Sequence, residues 1–359
     1  MSELSALETL TRELALGNGS ARPTIGPSPW DGFAVFGETG AASWHFGDLP
    51  AREFARRGGP LIDVLHLDWQ IDRERLLIPP SRILAYYSIG DKLDPQEVRR
   101  YGGSLIYALD DDLRNPTPWL PHGERFAEFV KAFEPKLRAA DGIVVPTVRL
   151  AEWVREYGAP VTVIPLSLPR LDELPRPRPR RERAGLRLGW VGTFTHEGDL
   201  ECIARPALAL LAQHPEVKFV LAGKCHPRWT VGHPQIECHF GAVYLPAYYQ
   251  WLASLDLDCF VCPLAAGQLW NECKPALKPL EACGLQIPVI ASRVGAYGED
   301  LEHETSALLV ENTTAAWLAG LTRMVEDAEL RAHLAAGGYA WAATRTIEQT
   351  GEAWAKLWS

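Results

Sequence analysis

The feature that most restricts how this chain can fold is an alternation that runs through nearly all of it. Short apolar segments bounded by Gly, Pro or Asp are separated by stretches with helical periodicity. In the first half, residues 32–36, 61–65, 83–87, 104–108, 142–145 and 161–164 read as buried strands, and 49–57, 123–140 and 148–157 read as helices. In the second half the strands are expected at 186–192, 218–222, 257–263, 289–292 and 307–310. Helical patterns fall at 199–213, 246–254 and 274–281, then almost without a break from 314 to 358. Strand–helix alternation of this kind builds parallel sheets covered on both faces, so the predicted class is α/β.

The pattern is interrupted once, at 168–183, where Pro and Arg dominate. Proline at alternate positions favours extended polyproline geometry and excludes a helix or a central strand. The segment reads as a linker between two α/β halves, either a stiff solvated connector or a basic arm for acidic headgroups or acceptor phosphates. The predicted division is 1–168 for the first domain, 169–184 for the linker and 185–343 for the second, with 344–359 as a terminal helix. A length of 359 residues gives each half enough chain to bury a core. Two such halves enclose a cleft, a favoured place for a ligand.

Charge and cysteine usage narrow the function classes. A formal net charge of −9 argues against general nucleic-acid binding. No apolar run is long enough to cross a bilayer, and the opening residues mix Glu, Arg and Thr among leucines, unlike a secretory leader. The seven cysteines all follow residue 200 and suit free thiols in a reducing compartment. The expected location is the cytoplasm, with the inner face of the membrane as the variant in which the protein associates peripherally.

The chemistry concentrates in the second half. In a helix, Lys274, Lys278 and Glu281 fall at i, i+4 and i+7, which puts two cations and a carboxylate on one face near the helix start. A helix N-terminus attracts anions, two lysines suit a diphosphate, and a carboxylate one turn further in suits sugar hydroxyls. The alternative is a solvated face of ordinary ion pairs. Pro275 fits a first turn, whereas Pro279 predicts an early kink. The loop 192–199 follows a strand: Gly192 allows close backbone approach to a ligand, Thr193, Thr195 and His196 offer donors, and Asp199 suits an N-cap.

Other residues carry weaker signals. Asp110, Asp111 and Asp112 follow a strand; they read either as a divalent-cation site or as a capped turn paired with Arg114, and no metal is assigned. Cys259 and Cys262 have the spacing of a redox or zinc pair but lie in an apolar strand, where thiols pack as small hydrophobes. The small-residue loop 37–45 would line the other wall of the cleft. Gly40, Ser43 and Trp44 are its acceptor-side candidates, and Glu38 and His45 its candidate general bases, with a plain loop as the alternative. Trp69, Trp119, Trp229 and Trp270 read as core or as stacking surfaces for sugar rings.

These motifs resemble those of glycosyltransferases with the GT-B fold, in the large bacterial family-four (group one) class, and a subgroup serving O-antigen and other surface polysaccharides. The resemblance spans 186 to about 339. It rests on Gly192-x-x-x-His196-x-x-Asp199, on Cys262-Pro263, on Asn271-x-x-Lys274-Pro-x-x-Lys278-x-x-Glu281-Ala, and on Gly284-x-x-x-Pro288-Val-Ile-Ala-Ser292 followed by Gly295. It implies two Rossmann-like, doubly wound domains and a terminal helix that crosses back onto the first. It further implies metal-independent transfer, with retained anomeric configuration, from a UDP, GDP or dTDP sugar to a hydroxyl of a glycan, lipid-linked or small-molecule acceptor. In the family pattern the carboxylate at Glu281 holds ribose and the lysines hold the diphosphate; no cofactor is needed. The family's first glutamate would fall at Cys273, one place from Glu272, which becomes the candidate for the donor sugar. Such a protein is expected as a monomer or homodimer. The rival readings are a nucleotide-sugar epimerase or hydrolase of the same fold, and a non-catalytic sugar-nucleotide-binding partner in a polysaccharide assembly complex.

Overall fold

The computed structural model describes residues 31–36, 41–66, 82–118, 123–176, 185–224, 227–240 and 247–358. Glu38, Gly40, Trp69, Trp119 and linker residues 177–184 lie outside them.

The apolar runs form two parallel six-stranded sheets. The first contains β1 (Gly32–Phe36), β2 (Ile62–His66), β3 (Arg82–Tyr86), β4 (Ser104–Ala108), β5 (Gly142–Val145) and β6 (Val161–Val163), in the order β2-β1-β3-β4-β5-β6. The second contains β7 (Arg187–Gly192), β8 (Lys218–Gly223), β9 (Ile236–Phe240), β10 (Cys259–Cys262), β11 (Val289–Ser292) and β12 (Leu308–Val310), in the order β12-β11-β10-β7-β8-β9. Both orders reverse beside their first strand, the topological switch point where ligands bind doubly wound sheets. Central strands such as β10 are buried along their whole length, as sheets covered on both faces require.

Helices α1 (Leu49–Arg57), α2 (Pro95–Arg100), α3 (Gly123–Ala139) and α4 (Val148–Val154) belong to the first domain. The second holds α5 (Glu197–Glu201), α6 (Ala204–Gln213), α7 (Ala247–Ser254), α8 (Leu269–Glu272), α9 (Leu277–Gly284), α10 (Gly295–Asp300), α11 (Thr314–Glu326) and α12 (Ala328–Ala343). Three departures from the sequence reading have local causes. The helix expected at 199–213 is split in two, because Pro206 supplies no N–H and fits only in a first turn. The tail breaks at Asp327, whose carboxylate accepts from the Leu330 N–H at 2.8 Å and starts a new helix. Strand β9 was not foreseen: Ile-Glu-Cys-His-Phe is half polar, as befits the edge of a sheet.

The last helix, α13 (Ile347–Trp358), crosses back to the first domain. Leu168 and Thr346 form an isolated parallel bridge. The Trp354 ring meets Phe46 edge-on at 5.9 Å, and the hydroxyls of Ser167 and Thr350 lie 2.6 Å apart. Glu53 on α1 is buried. Burial raises its pKa, but Arg170 and Arg57 outweigh that and hold it below the usual carboxylate value. Arg170 donates to Glu53 at 2.8 Å and reaches Glu348 of α13 at 3.1 Å, so one guanidinium ties α1 to the returning helix.

Candidate functional site

The groove between the sheets is lined by the chain leading into α9. Cys273-Lys274-Pro275-Ala276 joins α8 to α9, and Pro275 disfavours a helical Lys274 before it. Lys274 therefore precedes the helix, and only Lys278 and Glu281 share its face, one turn apart. The expected kink does not arise either. Pro279 is the third residue of α9, where a backbone N–H has no partner within the helix.

Both amines turn inward. Lys274 Nζ donates to Asp111 Oδ1 at 2.8 Å, across to the loop that follows β4, and lies 4.9 Å from the centre of the Trp270 ring. Lys278 Nζ is 3.1 Å from His196 Nε2 and 6.0 Å from the Trp190 ring centre. Burial draws the Lys278 pKa down and the Lys274 charge adds to that, while Glu281 opposes it. Among the described residues no carboxylate forms an ion pair with Lys278. An ammonium held without a counter-charge is available to an anion.

The β7 loop closes around Lys278. A Cβ on Gly192 would stand 2.5 Å from the Trp190 ring and 3.3 Å from Lys278 Cε, so only glycine fits. Thr193 and Thr195 bring their hydroxyls within 3.0 Å of each other at the loop surface. Asp199 does not cap a helix. It sits inside α5, nearly inaccessible; Oδ2 is 2.7 Å from His196 Nδ1, and Oδ1 accepts from Ala265 N at 2.7 Å and Asn271 Nδ2 at 2.8 Å. Burial pushes the His196 pKa down to about 3, and Lys278 reinforces this. The ring is neutral at neutral pH.

Glu281 is 5% exposed and accepts from the Tyr248 hydroxyl at 2.9 Å. Burial raises its pKa to about 7, with Lys278 opposing. Next to it, the hydroxyl of Tyr249 faces the Trp44 indole of the first domain. The other first-domain candidates are set into the interior. Ser43, Trp44 and His45 are each at most 3% exposed, in the turns that precede α1. His45 Nδ1 meets the Ser167 carbonyl at 3.0 Å, and burial lowers its pKa to about 4. So placed, His45 has no solvent path of the kind a general base facing the groove would use. Glu272 lies 3.6 Å from Arg149 of α4, and Thr147 donates to the Cys273 carbonyl at 2.9 Å. Two further contacts therefore join the domains beside the lysines.

The aspartate run divides three ways. Tyr86 donates to Asp110 at 2.5 Å; Asp111 holds Lys274; Asp112 accepts from the Arg114 backbone N–H at 3.1 Å and from its guanidinium at 3.2 Å. Burial, then the neighbouring Asp111 charge, lifts the Asp110 pKa to about 7. The expected pairing with Arg114 applies to Asp112 alone. Cys259 and Cys262 are buried thiols in β10. Tyr248 is a site residue that the sequence reading did not single out, while Asn271 stood in the motif and Asp111 in the aspartate run without the partners they have here. Asp111 carried a usable signal, since it stands just beyond the carboxyl end of a strand.

The Lys274–Asp111 pair gives a first prediction. An anion at Lys274 competes with Asp111 for the same ammonium. Asp111→Asn is expected to tighten the binding of inorganic pyrophosphate, used as a diphosphate probe, by about 3- to 10-fold, on the order of one competing ion pair removed. Calorimetric titration measures this; weaker pyrophosphate binding by the variant would contradict it.

Residues 185–327 match the family model described as glycosyl transferases group 1. No curated protein sequence matches the chain. Among solved structures, the chain is similar to sucrose-phosphate synthase from Thermosynechococcus elongatus, with TM-score 0.65 and 15% identity over 91% of this chain and 98% of that one. Alr3699/HepE of Anabaena, solved in complex with UDP and glucose, gives TM-score 0.62 and 14% identity over 91% and 98%. TarM gives 0.59 and 11% over 79% of this chain, which spans 55% of TarM's length. At these identities the likeness shows the fold, which is GT-B: two Rossmann-like domains with a cleft between them.

Proposed function

We propose that the protein is a glycosyltransferase that moves a sugar from a nucleoside-diphosphate sugar to a hydroxyl acceptor. The observation that carries this reading is Lys278: an ammonium at the start of α9, set against the loop that follows β7, with a neutral histidine as its partner. A helix N-terminus and two lysines offset the negative charge that grows on a departing diphosphate, where electrostatic catalysis is most effective. Glu281, one turn along, is the proposed ribose anchor, with Gly192, Thr193, Thr195 and His196 beside the phosphates. Residues 185–343 would hold the donor and 1–168 the acceptor. The group 1 match over 185–327 supports this assignment, as do neighbours of the same fold whose structures contain UDP or UDP-glucose. The acceptor would approach from the first domain, past Asp111. The proposed product extends a glycan such as a surface polysaccharide.

A sugar-nucleotide-binding partner without turnover is the second reading. Glu272, the residue nearest the family's first glutamate, is drawn toward Arg149. One experiment separates the readings. Thermal shifts with UDP, GDP, dTDP and ADP sugars should single out one nucleotide. A ligand at 100 times its Kd raises stability by about 2.7 kcal/mol. The selected donor is then incubated with hydroxyl acceptors. Glycosylated product supports the transferase. Free sugar or an epimer formed without acceptor points to a hydrolase or epimerase, and binding without turnover to the silent partner. No shift with any sugar nucleotide would overturn all of these readings.

A further inference from the structure

The lysine expected to hold the diphosphate is itself held by a chain of buried groups. Asp199 is 3% exposed, and its Oδ1 takes two N–H donors, from Ala265 at 2.7 Å and Asn271 at 2.8 Å. A carboxylate that accepts this many hydrogen bonds stays ionised, because each favours the charged form. Its Oδ2, 2.7 Å from His196 Nδ1, can then only accept, so the ring proton resides on Nδ1. The neutral ring presents a bare lone pair at Nε2, and Lys278 Nζ, at 3.1 Å, is the donor to it. Each proton is thus fixed by its neighbour, beginning from Asp199.

We infer that Asp199 is a positioning residue which, through the Nδ1-protonated tautomer of His196, aims the Lys278 ammonium into the groove with its charge uncancelled. This rests on the reading of Lys278 as a diphosphate ligand. A carboxylate in place of His196 would hold Lys278 equally well but neutralise it, and the incoming diphosphate would have to displace that partner. A neutral acceptor fixes the same geometry and leaves the charge to the ligand. The charged groups facing His196 pull in opposite directions. Lys278 and Lys274 oppose a second ring proton, Asp199 favours one, and burial decides for the neutral ring; Trp190 packs edge-on at 6.2 Å. Asn271 shares the task by donating to Asp199 while its own amide also bonds the Ala265 carbonyl at 3.0 Å.

The test uses the full chain and UDP as the probe. Nitrogen NMR of histidine-labelled protein, with the His196 signal assigned by its loss in His196→Gln, should show a neutral ring protonated on Nδ1 from about pH 8 to about pH 5. A proton on Nε2, or titration near the ordinary histidine value, overturns the inference. By calorimetry, Asp199→Asn should weaken UDP binding by roughly 10- to 100-fold, the worth of a charge-assisted hydrogen bond. His196→Gln, whose amide oxygen can accept from Lys278, should stay within about threefold of the parent, whereas His196→Leu should lose about tenfold or more. Equal losses for Gln and Leu would mean that His196 only fills space, and the inference fails. If Asp199→Asn does not fold, the Gln and Leu pair and the ring spectrum decide. Lys278→Ala keeps the two failures apart. If it binds UDP like the parent, the donor-site reading falls. If it loses UDP while His196→Leu does not, only the relay falls.

Discussion

Lys278→Ala is expected to abolish sugar transfer, lowering kcat by about 100- to 1,000-fold, the range found when one preorganised charge-stabilising donor is removed. The fold should survive. Lys278 is partly buried, and burial already disfavours its charged form, so truncation relieves a desolvation cost while removing one hydrogen bond to His196. Thermal midpoint and circular dichroism should stay near those of the parent. Arginine should not restore the rate. A planar guanidinium presents its donors in a fixed fork, and the single lone pair of His196 Nε2 cannot orient it as it orients a compact ammonium. Undiminished transfer by Lys278→Ala would remove the lysine from the mechanism.

Glu281→Gln is expected to move stability and binding in opposite directions. The Glu281 carboxyl has a folded-state pKa of about 7 against an ordinary value of 4.5, because burial disfavours its charge. An acid with a raised folded pKa contributes fully below its unfolded value. That contribution fades as pH rises toward about 7, and above this the buried carboxylate is a net cost. The gap corresponds to on the order of 3 kcal/mol. Glutamine keeps the shape and can accept from Tyr248 without ever carrying charge. At about pH 8 the variant should therefore melt at a higher temperature than the parent, with the difference shrinking as pH falls toward about 4.5. Meanwhile UDP affinity should fall by about tenfold or more, since a carboxylate accepts from ribose hydroxyls more strongly than an amide does. A residue that destabilises the apo fold yet improves ligand binding is a signature of function. A pH-independent difference in melting would contradict the buried, protonatable carboxyl.

What was legible in the sequence, and what was not, follows from the range of the interactions involved. Strands such as β4, β5 and β11 were read to the residue, because a buried parallel strand is a short apolar run with sharp ends. The edge strand β9 escaped because only one of its faces needs to be apolar. Lysines beside a helix start were visible as spacing, yet the spacing assumed a continuous helix. Pro275 moves Lys274 ahead of α9, toward the other domain. Asp199 looked like a cap because the helix expected at 199–213 begins on it; besides His196 nearby, its partners Ala265 and Asn271 are more than sixty residues away and become neighbours only when the sheet forms. Likewise, nothing local distinguishes His45, packed on Ser167, from a histidine exposed in a groove.

On the proposed function, the amine leading α9 holds the diphosphate of the donor. The most direct measurement is a pair of calorimetric titrations, uridine and UDP, each against the parent chain and Lys278→Ala. UDP should bind the parent far more tightly than uridine does, and the variant should lose this preference while its weak affinity for uridine is unchanged. A variant that still prefers UDP by the parent's margin would contradict this role.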